Sequence, residues 1–150
     1  MRASSPPNVP ALHRPASSLC VAIVGCGDNN SDRVRVYPVT GKVTVKGQPV
    51  AGAKVMFFPS AADAAEKLPV PSAETGSGAD YKLQSYEADD GAPEGDYKVA
   101  IVWPEAPAAN ATGIFDQKDR LAGRYSNPEK SGLTAHVESG GGEIPPFDLQ

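Results

Sequence analysis

The sequence predicts an all-β fold, an antiparallel sandwich of about seven short strands. Three observations carry the prediction. Apolar and polar residues alternate with period 2 from Val34 onward, the pattern of half-buried strands. Turn chemistry recurs every 8–12 residues, as sandwiches require. Gly and Pro number 15 each in 150 residues, which leaves little room for long helices.

Val39, Gly41, Val43 and Val45 share one face of the first strand, opposite Thr40, Lys42 and Thr44. Lys46-Gly47 supplies a tight turn, and Gln48 to Gly52 bends the chain again around Pro49. Ala53, Val55 and Phe57 face inward from a second strand, which Pro59 ends. Ser60–Pro71 reads as a loop holding one or two helical turns over Ala61–Lys67. Ala73–Thr75 forms a short strand, and a further strand runs through Tyr81, Leu83 and Ser85. Glu87–Gly95 is an acidic turn.

Tyr97, Val99, Ile101 and Trp103 alternate with Lys98, Ala100 and Val102. Both faces are largely apolar, which places this strand in the middle of a sheet. Pro104–Gln117 reads as a surface loop, Asp119–Tyr125 as a helical turn and Asn127–Gly132 as turn chemistry. Leu133, Ala135 and Val137 alternate with Thr134, His136 and Glu138. A glycine hairpin, Ser139–Gly142, then leads to an edge strand, Ile144–Leu149, interrupted by Pro145-Pro146.

The N-terminal stretch has a different character. Its charges are Arg2 and Arg14, followed by a short apolar run, Leu19–Val24, and then Gly25-Cys26. A positive region, an apolar run and small residues at a cut describe a secretory signal, and the run is too short to span a membrane, which takes roughly 20 apolar residues. Ile23-Val24-Gly25-Cys26 resembles a bacterial lipobox. That resemblance implies cleavage after residue 25, acylation of Cys26 and a mature chain beginning there. The reading divides the chain into a lipoprotein signal peptide (1–25), a lipidated N-terminus with a flexible polar tether (26–36) and a sandwich domain (37–150). If the segment is not a signal, a Cys20–Cys26 disulfide is the alternative.

Removing residues 1–25 takes away Arg2 and Arg14 and no acid, leaving twelve basic against eighteen acidic residues and a formal charge of −6. A chain with no basic stripe does not suit phosphate neutralisation, so nucleic acid is not an expected partner. Loss of Cys20 and acylation of Cys26 would leave no free thiol for a disulfide framework, a zinc ribbon or a nucleophile.

Residues 37–57, Tyr-Pro-Val-Thr-Gly-Lys-Val-Thr-Val-Lys-Gly-Gln-Pro-Val-Ala-Gly-Ala-Lys-Val-Met-Phe, resemble the opening of carboxypeptidase regulatory-like domains: a strand with Gly, a turn with Gly, then Pro-aliphatic-x-Gly-Ala-x-Val. Pro93-Glu94-Gly95-Asp96-Tyr97-Lys98-Val99 resembles their Pro-x-Gly-x-Tyr-x-Val strand. Residues 119–149 are similar to the tail of small bacterial lipoproteins of this kind. The resemblance implies a transthyretin-like, immunoglobulin-like sandwich of seven strands, extracytoplasmic and serving as a structural or interaction module. Gly78-Ala79-Asp80-Tyr81 stands where many members have Asp-Gly-Arg-Tyr, a departure that bears on the local turn.

No catalytic, cofactor-binding or metal-binding residue is assigned. His136 is the one histidine after residue 25 and reads as a solvated strand residue. The fold class also includes hydroxyisourate hydrolases, whose several His and Arg and C-terminal Tyr-Arg-Gly-Ser the present chain, ending Pro-Phe-Asp-Leu-Gln, does not match. Gly41-Lys42 and Gly76-Ser77-Gly78 have neither the glycines nor the following helix of a phosphate loop or dinucleotide fingerprint. Glu87, Asp89, Asp90, Glu94 and Asp96 place five carboxylates within ten residues. Their spacing fails the EF-hand rule, and a solvated acidic turn is expected, with calcium the alternative. Tyr86, Trp103, Phe115 and Tyr125 could form a sugar platform if exposed, although the position of Trp103 at the end of a buried strand favours the core. Asn29 and Asn110 open glycosylation sequons, read as chance matches beside a bacterial lipobox.

The expected function is thus non-enzymatic: a lipid-anchored β-sandwich of the cell envelope, in the periplasm or at the cell surface, binding its membrane through Cys26. A protein or carbohydrate partner would be met by loops at one end, chiefly 59–71, 86–96 and 104–118. The alternative is a soluble secreted module that binds carbohydrate or peptide with the same loops.

Overall fold

Alternation of branched and polar residues becomes strand wherever a turn residue closes the run. A computed structural model describes residues 32–106 and 117–150. Among these the chain forms β1 (Val39–Val45), β2 (Gln48–Pro49), β3 (Lys54–Pro59), a helical turn α1 (Ala62–Ala65), β4 (Ser72–Glu74), β5 (Asp80–Lys82), β6 (Gly95–Val102), β7 (Leu133–Val137), β8 (Gly142–Glu143) and β9 (Phe147–Leu149). The compact unit is Arg33–Gln150.

β1 is the spine of the first sheet. Val39, Gly41 and Val43 are buried, and Thr40 and Lys42 are exposed, as the alternation requires. Lys46 (φ 51°) and Gly47 (φ 76°) both take positive φ, which a two-residue type I′ turn needs, and the turn returns β2 against Thr44–Val45. Each flank of β1 holds two short strands end to end. On one flank lie β5 and β2, both antiparallel to it; on the other lie β8 and β9, both parallel. The Val43 N–H donates to the Ala79 carbonyl on the first flank, and the Ile144 N–H donates to the Thr40 carbonyl on the second.

The second sheet is antiparallel throughout, in the order β4-β3-β6-β7. β6 is central, as its apolar faces predict. Tyr97, Val99 and Ile101 are buried on one face and Ala100 on the other. The two sheets meet at one edge, where Ser72 and Gln84 exchange N–H···O bonds of 3.0 and 2.9 Å.

Inward side chains from both sheets fill the core. Phe57 is its hub, with ring centroids 5.7 Å from Tyr97, 6.5 Å from Tyr81 and 6.4 Å from Phe147. Each such fully buried apolar side chain contributes roughly 1.5–3 kcal/mol. Tyr81 stands directly across from Gly41 in register, and its ring occupies the space a Cβ at Gly41 would need. An aromatic laid over a strand glycine restores the contact the glycine lacks.

The structure departs from the sequence expectations in five places. The strands number nine rather than seven, because β2, β8 and β9 are separate short flanks of β1. Residues 144–149 do not form one strand; Pro145-Pro146 removes two ladder donors and leaves β8 and β9 on either side. Ser139–Gly142 is not a hairpin, since it carries the chain from β7 in one sheet to β8 in the other. Residues 119–125 turn without becoming helical. There the Asp119 carboxylate accepts from the N–H groups of Trp103, Leu121 and Gly123 at 2.9–3.0 Å, and Ala122 and Gly123 take positive φ. β5 stops at Lys82 rather than reaching Ser85, because the N–H of Ser85 is drawn to the Asp90 carboxylate at 2.6 Å.

Residues 1–31 and 107–116 lie outside the described residues. They include Cys20, Cys26, Asn29, Asn110, Phe115, the 1–25 signal and most of the 26–36 tether. Arg33 and Val34, assigned to that tether, lie against the domain, bonded to Glu87 and Tyr86.

Candidate functional site: a cleft and two loop ends

β6 is eight residues long, so the segments before and after it leave the sheet about 25 Å apart. That separation splits the three loops expected at one end. Residues 59–71 and 86–96 share an end, where Pro59 pairs with Tyr97 and Gly95 begins β6. The stem of 104–118 lies at the other, where the Glu105 N–H donates to the Lys118 carbonyl and Pro104 bridges Asp119. The expected aromatic platform divides in the same way. Tyr86 lies at the first end, and Trp103 at the second.

Trp103 is half-buried. Its Nε1–H donates to the Ala51 carbonyl at 3.0 Å, and the Arg120 guanidinium lies 4.8 Å from its ring. Trp103 packs against the core, as its place at the end of β6 predicts. Tyr125 packs there too, its hydroxyl accepting from the Gln150 N–H.

The acidic turn does not converge. Asp90 points at the backbone and accepts from the N–H groups of Ser85, Tyr86 and Glu87 at 2.6–3.0 Å. Partial burial raises its pKa, but those N–H donors outweigh it and hold the carboxyl below the ordinary range. Glu87 pairs with Arg33, Asp89 with Lys82 and Asp96 with His136, at 3.2, 3.9 and 2.7 Å. Among the described residues no three His, Cys, Asp or Glu side chains gather as a metal site. His136 is exposed on β7, across the ladder from Asp96.

The sequence reading missed a cleft of about 590 Å3 between β4 and β5. The register joining Ser72 to Gln84, and the Gly76 N–H to the Asp80 carbonyl at 2.8 Å, sets Glu74 opposite Lys82. That middle pair does not close into a ladder, and the cleft opens there. Lys54, Met56, Glu74, Lys82 and Asp89 line it, giving an apolar patch with charges of both signs. The signal available in the sequence was Ala73–Thr75 and the Tyr81 strand read as one hairpin around Gly76–Asp80.

No family model matches the chain, and no curated protein matches it either. Among solved structures it is similar to the crystal structure of the major plantain pollen allergen, with a TM-score of 0.39 and 14% identity over 75% of this chain and 90% of that one. A likeness of that size carries no functional argument.

Proposed function

We propose that the protein is a non-enzymatic, lipid-anchored β-sandwich of the cell envelope, acylated at Cys26 and held outside the cytosol. One observation carries the reading: Ile23-Val24-Gly25-Cys26 closes an apolar run and stands seven residues before Arg33, where the compact unit begins. Acyl chains on one thiol hold a protein at a bilayer firmly when two or more are present. The sandwich is of the transthyretin-like, carboxypeptidase regulatory-like type, a reading supported by the Gly-Ala turn at residues 52–53 and the Pro93–Val99 strand entry. It serves as a structural or interaction module.

Replacing Cys26 with Ser tests the anchor. The variant moves to the soluble fraction, while the unaltered protein stays with membranes and shows an acylated mature N-terminus at residue 26 by mass spectrometry. Membrane retention of the variant refutes the anchor. The second reading, a soluble secreted module for carbohydrate or peptide, is favoured by the cleft between β4 and β5. It gains ground if the native protein remains in the aqueous phase.

A further inference from the structure

We propose that β7 is a pairing edge, and that its occupant is the β7 of a second copy of this chain laid antiparallel along it. The inference is independent of the lipid anchor. It starts from where the backbone bonds of β7 go. The Ser60 N–H donates to the Asp96 carbonyl, so the even-numbered residues of β6 turn their N–H and C=O groups to β3 and the odd-numbered ones turn theirs to β7. Tyr97 stands in register with Ala135, and Gly95 with Val137. Ala135 and Val137 therefore direct their backbone groups at β6, while those of Thr134 and His136 point off the sheet. Among the described residues nothing receives them.

The other strands that could offer an edge are blunted. β4 is tied to β5 through Ser72 and Gln84. β2 is two residues long and contains Pro49, β8 is two residues long, and Pro145-Pro146 stands directly before β9. Short strands and prolines are the means by which sheets avoid edge-to-edge pairing. β7 has five residues, Leu-Thr-Ala-His-Val, with neither proline nor lysine among them.

Charge selects the second copy and its direction. Lys130 stands just before β7, and Lys98 lies across from Thr134. Glu94, Glu138 and Glu143 gather at the other end of β7, around two shallow cavities shared with His136 and Val137. Among the described residues no ion pair engages Lys130 or these three glutamates. Two such edges laid antiparallel bring the lysine end of each to the glutamate end of the other, whereas a parallel arrangement sets like against like. In the register that uses the outward groups of Thr134 and His136, each Thr134 faces His136 of the other copy. Four N–H···O bonds then form about a two-fold axis at Ala135. Glu138 falls opposite Gly132 of the second copy, two residues from Lys130 there. One strand pair makes an interface at the small end of the specific range, under about 1,200 Å2, so the dimer dissociates on dilution.

The test follows the full-length chain, under reducing conditions, by sedimentation velocity and amide hydrogen exchange. The expected result is a monomer at low micromolar concentration that becomes a dimer toward millimolar, with exchange at Thr134 and His136 slowing in step and exchange at Asp148 unchanged. His136→Pro removes an N–H that β6 does not use, so it abolishes the dimer while urea unfolding stays cooperative. Glu138→Lys weakens dimerisation several-fold, and the exchanged pair Lys130→Glu with Glu138→Lys restores it. A monomer at every concentration overturns the proposal. So does a dimer whose Thr134 and His136 amides exchange freely, or one that survives His136→Pro. Should His136→Pro fail to fold, the charge variants decide: a dimer indifferent to Glu138→Lys, or not restored by the exchanged pair, overturns the antiparallel second copy.

Discussion

Removing one hydroxyl from each of two buried tyrosines has opposite consequences. Tyr81 and Tyr97 both contact Phe57, and each is about 1% exposed. The Tyr97 hydroxyl donates to the Pro93 carbonyl at 2.8 Å, whereas the buried Tyr81 hydroxyl meets no hydrogen-bond partner among the described residues. Deleting one member of a buried hydrogen bond strands the other, at a cost of roughly 1–2 kcal/mol. Deleting an unpartnered buried hydroxyl removes a desolvation cost of similar size. Tyr97→Phe therefore loses about 1–2 kcal/mol, and Tyr81→Phe gains about 1 kcal/mol. For a domain of this size that is about 4 °C in Tm per kcal/mol, so the two variants melt about 10 °C apart. Urea unfolding at neutral pH, with unchanged m-values, reads the difference directly. A loss in Tyr81→Phe equal to that in Tyr97→Phe would refute the reasoning, because it would mean that the Tyr81 hydroxyl is satisfied.

Further expectations concern titration, packing and ions. Burial, helped by the nearby Tyr86, pushes the Tyr97 pKa up to about 12, and burial raises Tyr81 as well. Both folded values exceed the unfolded one, so their contribution is whole below about pH 10 and declines as pH rises toward 12, by about 1.4 kcal/mol per pH unit per group. Urea midpoints taken from pH 9 to 11.5 check the slope, which the double Phe variant flattens. Asp90 runs the other way: its lowered pKa adds stability above the ordinary carboxylate range that disappears as pH falls through the folded value. Asp90→Ala removes the acceptor of three backbone N–H groups and costs about 1–2 kcal/mol, with faster amide exchange at Ser85–Glu87. Gly41→Val forces the Tyr81 ring off its strand partner and costs about 1–3 kcal/mol in the same unfolding assay. Millimolar calcium leaves the melting temperature unchanged, since Glu87, Asp89, Asp90 and Asp96 point at separate partners; a rise would show that they can converge.

Much of the fold was legible because local chemistry and tertiary demand agree. Val39–Val45, Lys46-Gly47 and Tyr97–Val102 each read the same way from pattern and from burial. Pro145-Pro146 signalled an interruption, but pairing partners are a long-range property. Nothing local told that β8 and β9 lie parallel to β1, or that Ser139–Gly142 crosses between sheets. The acidic turn was visible as composition, yet the inward aim of Asp90 depends on the three amides it meets. Placement of the loops was in principle recoverable: 86–96 and 104–118 flank one extended strand and must emerge at its two ends. The hairpin around Gly76–Asp80 that frames the cleft was recoverable, but the opening itself was not, because it arises from a single strand pair, Glu74 and Lys82, left open between closed neighbours.

β9 has a consequence for how the protein comes into being. The spine strand takes one partner from residues 147–149, and the Thr44 hydroxyl meets the Asp148 carboxylate across 104 positions of sequence. Contacts of such separation form late and slowly. The first sheet therefore stays incomplete until residues 147–149 have been made and have reached β1.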